Sequence, residues 1–179
     1  MVYILLADGF EEIEALCPLD LLRRAGIDAK TVSVTEKRVV TGSHGISVTA
    51  DLTAENSLSD IEMLVLPGGM PGTKHLDESP LVRAAVNYAA EHQLPIGAIC
   101  AAPSVLGHAG ILRGLRATCY PGFEPELTGA ILTDAAVVTD GSVTTARGAG
   151  VAIEFALELV AGLTTPELAE QIREGIQCP

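Results

Sequence analysis

Five short runs rich in Val, Ile, Leu and Ala, at residues 2–7, 29–34, 62–66, 95–99 and 136–139, alternate with helical stretches at about 13–25, 79–92, 102–109 and 151–162. A strand that returns to its sheet through a helix runs parallel to the strand before it, because only such a crossover is long enough to bring the chain back. The rhythm therefore predicts a doubly wound, flavodoxin-like α/β fold. Its sheet should be mostly parallel, with helices on both faces, a three-layer sandwich. Trp is absent and aromatics make up only 3% of the chain, so the core must be built from aliphatic side chains, which suits a buried parallel sheet. With 179 residues and no linker-like stretch, one domain spanning 1–179 is expected.

Local punctuation agrees with this division. Ser79-Pro80 and Thr165-Pro166 each supply a helix N-cap followed by proline at the first helical position, and Ala25-Gly26 ends the first helix with a C′ glycine. Two segments read as hairpins decorating the main sheet. One is Arg38 to Val48, with a glycine-containing turn; the other is Val137 to Thr145, turning through Asp140-Gly141.

Twenty-three acidic against eleven basic residues give a formal charge of −12, which repels phosphate backbones and anionic headgroups. Neither nucleic acid nor membrane is an expected partner. The apolar opening, Met1 to Ala7, lacks a basic flank and reaches Asp8 and Glu11 too soon for a signal peptide or a spanning helix; it reads as a first strand, and the chain as cytoplasmic. The cysteines at 17, 100, 119 and 178 form no CxxC pair, and the histidines at 44, 75, 92 and 108 do not pair at ligand spacing. No metal and no organic cofactor is expected.

Three segments carry chemistry. Pro95 to Ile99 is a buried strand that runs into Cys100 and then small residues and a helix, so Cys100 sits at a turn beyond a strand end, where open α/β sheets bind ligands. A helix starting there would aim N–H groups and its positive dipole end at the sulfur, predicting the lowest thiol pKa of the four cysteines. A lone cysteine is also commonly a small buried hydrophobe. A second strand-end loop, Leu66-Pro67-Gly68-Gly69-Met70-Pro71-Gly72, offers backbone N–H groups that can approach a substrate oxygen, though the same letters make ordinary turns. The third segment is Asp8 to Cys17. Glu14 shares a helix face with Cys17, Pro18 and Leu21, so its carboxyl is expected to be buried with a raised pKa, whereas Glu11 and Glu12 read as solvated first-turn acids.

The blocks Asp8-Gly9-Phe10-Glu11-Glu12-Ile13-Glu14, Leu66-Pro67-Gly68-Gly69, Ala98-Ile99-Cys100-Ala101-Ala102-Pro103, Arg147-Gly148-Ala149-Gly150 and Glu154-Phe155-Ala156-Leu157 closely resemble those of the DJ-1/PfpI superfamily, of the class I glutamine amidotransferase-like type. They recur in family order across nearly the whole chain, and the resemblance favours the deglycase and thiazole-biosynthesis branch. It implies that Cys100 is an elbow nucleophile, that Glu14 is its hydrogen-bonded partner, and that Gly68, Gly69 and Ala101 bind substrate or an oxyanion. The protease-like branch has His directly after its cysteine, but Ala101 stands there, which disfavours a peptidase. Tyr120 replaces a pocket histidine found in several relatives, and Gly42 stands at a regulatory-cysteine position. His44, Cys119 and Tyr120 remain possible pocket residues, His44 by reaching a partner subunit's pocket. Cys17 is expected in the core near Glu14, and Cys178 in a mobile tail.

The resemblance implies a cysteine-dependent glyoxalase or deglycase that converts small α-oxoaldehydes such as methylglyoxal and glyoxal, or their adducts, to 2-hydroxy acids without glutathione. It also implies a homodimer. The alternative is a redox-sensing or stress-protective protein whose Cys100 is oxidised rather than turned over. A small-amide hydrolase is the third reading, and it would need a distant base.

Overall fold

The computed structural model describes residues 1–55 and 60–179. In chain order the main elements are β1 (Val2–Leu6), α1 (Glu12–Arg24), β2 (Ala29–Ser33), β3 (Val39–Thr41), β4 (Ser47–Thr49), β5 (Met63–Leu66), α2 (Gly72–Glu78), α3 (Pro80–Glu91), β6 (Ile96–Ile99) and α4 (Pro103–His108). There follow β7 (Arg116–Ala117), β8 (Ile131–Leu132), β9 (Val137–Asp140), β10 (Val143–Ala146), α5 (Ala152–Leu163) and α6 (Pro166–Gly175), with single 3-10 turns at Glu124–Glu126 and Ala149–Val151.

Six strands form one sheet in the order β2-β1-β5-β6-β10-β9, and every pair is parallel except β9 with β10. Side chains alternate across it as a strand requires. Val2, Ile4, Leu6, Met63 and Val65 face one core with α1, α5 and α6, while Tyr3, Leu5, Leu64 and Leu66 face a second core with α2, α3 and α4. These are the three expected layers. Where the sheet meets α5 the fit depends on a missing side chain: a Cβ on Gly97 would lie 2.9 Å from both Phe155 and Leu159, so glycine lets that helix seat. The expected caps form as well. Ser79 Oγ accepts from the Val82 N–H at 3.4 Å, Thr165 Oγ1 accepts from the Leu168 N–H at 3.3 Å, and Gly26 takes φ +76° after α1.

The structure corrects two expectations. The hairpin at 137–146 is no decoration, because β10 pairs in parallel with β6 and β9 closes that edge of the main sheet. Helix α2 begins inside what reads as a glycine-proline loop; it has no side-chain cap and spans seven residues, too few to show a period. The β3–β4 hairpin does stand apart as a two-stranded sheet. It is tied back to the loop after β1, where the Gly9 N–H donates to Thr41 O at 2.8 Å and the Ser43 N–H to Phe10 O at 2.8 Å.

Candidate active site

The carboxyl ends of β1, β5, β6 and β10 converge on Cys100, the residue after β6. Cys100 has φ +65°, a left-handed conformation that a side chain adopts at a cost of order 1–3 kcal/mol and that persists only where the surroundings impose it. The neighbours here do so from both sides. The Cys100 N–H donates to Ala146 O at 2.8 Å, and its carbonyl accepts from the Tyr120 N–H at 2.8 Å. The side chain is thereby turned out of the strand toward Glu14.

Glu14, in the first turn of α1, is fully buried. Its Oε2 accepts from the Gly68 N–H at 2.8 Å. Oε1 completes no hydrogen bond among the described residues, although the Cys100 thiol and the Ala149 N–H lie close enough to act on the carboxyl. The approach is possible only because residue 68 has no side chain: a Cβ there would lie 2.6 Å from Cys100 Cβ and 2.7 Å from Glu14 Oε2. Gly69 is equally confined, at φ +88° and with an added Cβ 2.4 Å from the Glu11 nitrogen.

Burial pushes the Glu14 carboxyl up to about 7, against the opposing pull of Cys100 and the Gly68 N–H. Burial, then the charge of Glu14 and its hydrogen bond, push the Cys100 thiol up to about 12, while the N–H groups of Gly69 and Ala101 pull it down. Cys17 and Cys119 are each raised to about 11, chiefly by burial. The helix after the elbow begins only at Pro103 and spans six residues. Part of the rise comes from the charge of Glu14, and once the carboxyl takes a proton that repulsion disappears. Thiol and carboxyl thus titrate as a coupled pair that resists carrying two charges.

The remaining candidates divide. Gly69 and Ala101 turn their N–H groups to the sulfur, but the Gly68 N–H is occupied by Glu14 and is not free for an oxyanion. Tyr120 adjoins the elbow through its backbone, with its half-exposed ring over Gly148. Cys119 is buried and borders a cavity of about 240 Å³ with Thr118, Glu124, Asp134 and Arg147. The His44 ring bonds Glu12 Oε2 at 2.8 Å, within its own chain. Cys17 is half-buried against the core, and the Cys178 N–H donates to Arg173 O at 3.0 Å.

Sequence reasoning misread Glu12. It is buried, not solvated, and its carboxylate fills the β3–β4 turn. Oε1 accepts from the N–H groups of His44 at 2.9 Å and Ile46 at 3.4 Å, and Oε2 from Ser43 Oγ at 3.4 Å besides bonding the His44 ring. Burial works to raise its pKa, but these donors hold it down at about 2. The glycine at 42 was the available signal, because a Cβ there would lie 2.3 Å from Glu12 Oε1. Glu11, Glu12 and His44 also bring ligand-type atoms within 4.8 Å of one another, but the turn already consumes the Glu12 oxygens.

Residues 1–162 match the DJ-1/PfpI family. The chain belongs to that family. Among DJ-1/PfpI proteins it is similar to protein dj-1beta of Drosophila melanogaster, 35% identical over 97% of this chain and 94% of that one. A Pyrococcus abyssi protein named a deglycase is 38% identical over 83% of this chain and 90% of its own length. The structure of an oxidised DJ-1 from Toxoplasma gondii superposes with a TM-score of 0.94 at 32% identity, covering 98% of this chain and 97% of that one. The DJ-1/PfpI fold and its order of blocks are therefore those expected from Asp8–Glu14, Leu66–Gly69 and Ala98–Pro103. No helix among the described residues is long and apolar enough to cross a membrane.

Proposed function

We propose that the protein is a glutathione-independent glyoxalase or deglycase acting on small α-oxoaldehydes or their adducts, with Cys100 as nucleophile and Glu14 as proton carrier. One observation carries this reading: a buried carboxyl raised to about 7, with one oxygen unpartnered, lies against the elbow thiol. A group with a pKa near the working pH is the effective general base. Glu14 takes the thiol proton as Cys100 Sγ bonds to the aldehyde carbon, and the proton passes to the former aldehyde oxygen, giving a hemithioacetal. The N–H groups of Gly69 and Ala101 face that oxygen as it takes charge. Glu14 then removes the hydrogen on the same carbon and delivers it to the neighbouring carbonyl carbon, while the hydroxyl proton of the hemithioacetal passes to the neighbouring carbonyl oxygen, leaving a thioester of a 2-hydroxy acid. Water cleaves the thioester, releasing the acid and the free thiol, so methylglyoxal plus water becomes lactate plus a proton. The steps need no metal or organic cofactor. The deglycase name of the Pyrococcus relative supports the reading.

A second reading, oxidation of Cys100 to a stable sulfinic acid, is favoured by the same unpartnered Glu14 oxygen, which when protonated would donate to a sulfinate. An amide hydrolase has less support, because the His44 ring is engaged by Glu12. Exposed Ile13, Val39 and Ile46, on α1 and the β3–β4 hairpin, support a homodimer through this side of the molecule. The compartment we propose is the cytoplasm. Following methylglyoxal and lactate by NMR tests the leading reading: wild type converts one to the other and Cys100→Ser does not. If both leave methylglyoxal untouched while mass spectrometry finds peroxide adding two oxygens to Cys100, the second reading replaces it.

A further inference from the structure

We propose that Glu12 is a positioning residue for the Cys100 site, and that its ion pair with His44 makes this positioning depend on pH. The proposal rests on the reading of Cys100 and Glu14 as the reacting pair, although neither Glu12 nor His44 belongs to it.

A continuous set of bonds joins the two places. Glu12 gathers the turn between β3 and β4 through the His44 and Ile46 N–H groups, Ser43 Oγ and the His44 ring. That turn in turn holds the loop after β1, with the Ser43 N–H on Phe10 O, the Gly9 N–H on Thr41 O, and the Thr41 N–H on Asp8 Oδ1 at 2.9 Å. The far side of the same loop holds the segment after β5: the Glu11 N–H donates to Gly68 O at 2.9 Å and the Gly72 N–H to Gly9 O at 3.1 Å. No side chain separates the layers, since an added Cβ on Gly69 or Gly72 would lie within 2.7 Å of loop backbone. Gly68 and Gly69 supply the N–H groups that hold Glu14 Oε2 and face the Cys100 sulfur. Loosening the turn therefore shifts the loop, and the loop sets where those two N–H groups point. Such a layer, packed without slack, transmits displacement.

The pH dependence comes from His44. Facing its ring are Glu12 of α1, Glu11 just before α1 at 3.6 Å, and Ser43 Oγ at 3.1 Å in its own turn. The bond to Glu12, then the charges of Glu11 and Glu12, raise the imidazole above its ordinary value. The sign follows. A raised histidine keeps its proton, and the pair, through the ordinary imidazole range; the pair is lost as pH rises through the raised value. Glu12, held near 2, stays ionised throughout.

The test is the rate of iodoacetamide alkylation of Cys100 against pH, which reads the sulfur's surroundings whether or not the protein turns over aldehydes. Glu12→Gln should lower the rate about tenfold, within the span of effects carried by residues that touch no ligand. His44→Gln should lower it about threefold below pH 7 and meet wild type at alkaline pH. His44→Arg, which cannot lose its charge, should keep the low-pH rate and remove the part of the alkaline change that His44 contributes. The ring of His44 is mostly exposed, so both His44 variants fold even if Glu12→Gln does not. Profiles for wild type, His44→Gln and His44→Arg that superimpose overturn the proposal. So does a folded Glu12→Gln protein with the wild-type alkylation rate. Absence of methylglyoxal turnover alongside the expected alkylation profiles would overturn the proposed function and leave this positioning intact.

Discussion

Glu12 and Glu14 stand two residues apart in one helical turn, both are buried, and their carboxyls are driven in opposite directions, to about 2 and about 7. Burial acts upward on each, and Glu14 is the more deeply buried of the two. Their donors differ as well. Glu12 faces a turn that offers two N–H groups, a hydroxyl and an imidazole, whereas Glu14 receives one N–H bond and faces a thiol that becomes negative when it ionises. A carboxylate that is fully solvated by protein donors becomes structural. One left half-solvated keeps a proton within reach of neutral pH and can move it.

The largest expected effect from breaking this contrast is on turnover. Glu14→Gln keeps the shape but cannot carry a proton, so kcat for methylglyoxal should fall by about 10²–10⁴, the usual contribution of a general acid-base group. The same change removes the negative charge beside Cys100, so a thiol titration at 240 nm should show Cys100 more acidic than in wild type. Glu14→Leu, which lacks the amide donor as well, should give a thiol less acidic than the Gln variant. Wild-type turnover in Glu14→Gln would falsify the role assigned to Glu14.

Stability against pH comes next. A carboxyl whose folded pKa is raised stabilises the fold while protonated, and that contribution is lost between the ordinary carboxylate value and about 7. The loss amounts to about 3 kcal/mol at 1.36 kcal/mol per unit. Glu12 has the opposite sign: its contribution is present above the ordinary value and lost as pH falls toward about 2. Denaturation midpoints measured from pH 3 to 8 should peak between the two limbs. In Glu14→Gln the upper limb should flatten while the acid limb stays, and an unchanged upper limb would mean that Glu14 does not titrate there.

The smallest effects come from the two glycines that admit these carboxyls. Gly68→Ala places a methyl group against Cys100 and Glu14, and Gly42→Ala places one against Glu12. Each should cost about 1–3 kcal/mol as overpacking. If the contrast holds, Gly68→Ala also lowers kcat at saturating substrate more than Gly42→Ala does. Equal kcat values for the two would blur the distinction between a reacting and a bracing carboxyl.

The sequence made the sheet legible because its strands are buried on both faces and separated by amphipathic helices with recognisable caps. Ser79, Thr165 and Gly26 all act as their residue types suggest. Helix α2 and strands β7 and β8 were not legible, being too short to show a period. At the site, the burial of Glu14 followed from the face it shares with Leu21. The upward push on the Cys100 thiol did not follow, because it comes from burial and from a charge that α1 brings alongside. Nor did the state of Glu12, whose donors come from residues 43–46, far along the chain but adjacent in space.

The sheet order also has a consequence for how the protein is made. Strands β1, β5, β6 and β10 each end at one part of the site, and those parts span the chain from Glu14 to Ala149. Strand β10 adds to β6 only after most of the polypeptide has left the ribosome, and domains fold as units during synthesis. Until then Cys100 lacks its bond to Ala146 O, one of the two that hold its left-handed backbone. The juxtaposition of Cys100 with Glu14 and the Gly69 and Ala101 N–H groups is completed late, when β10 closes the sheet.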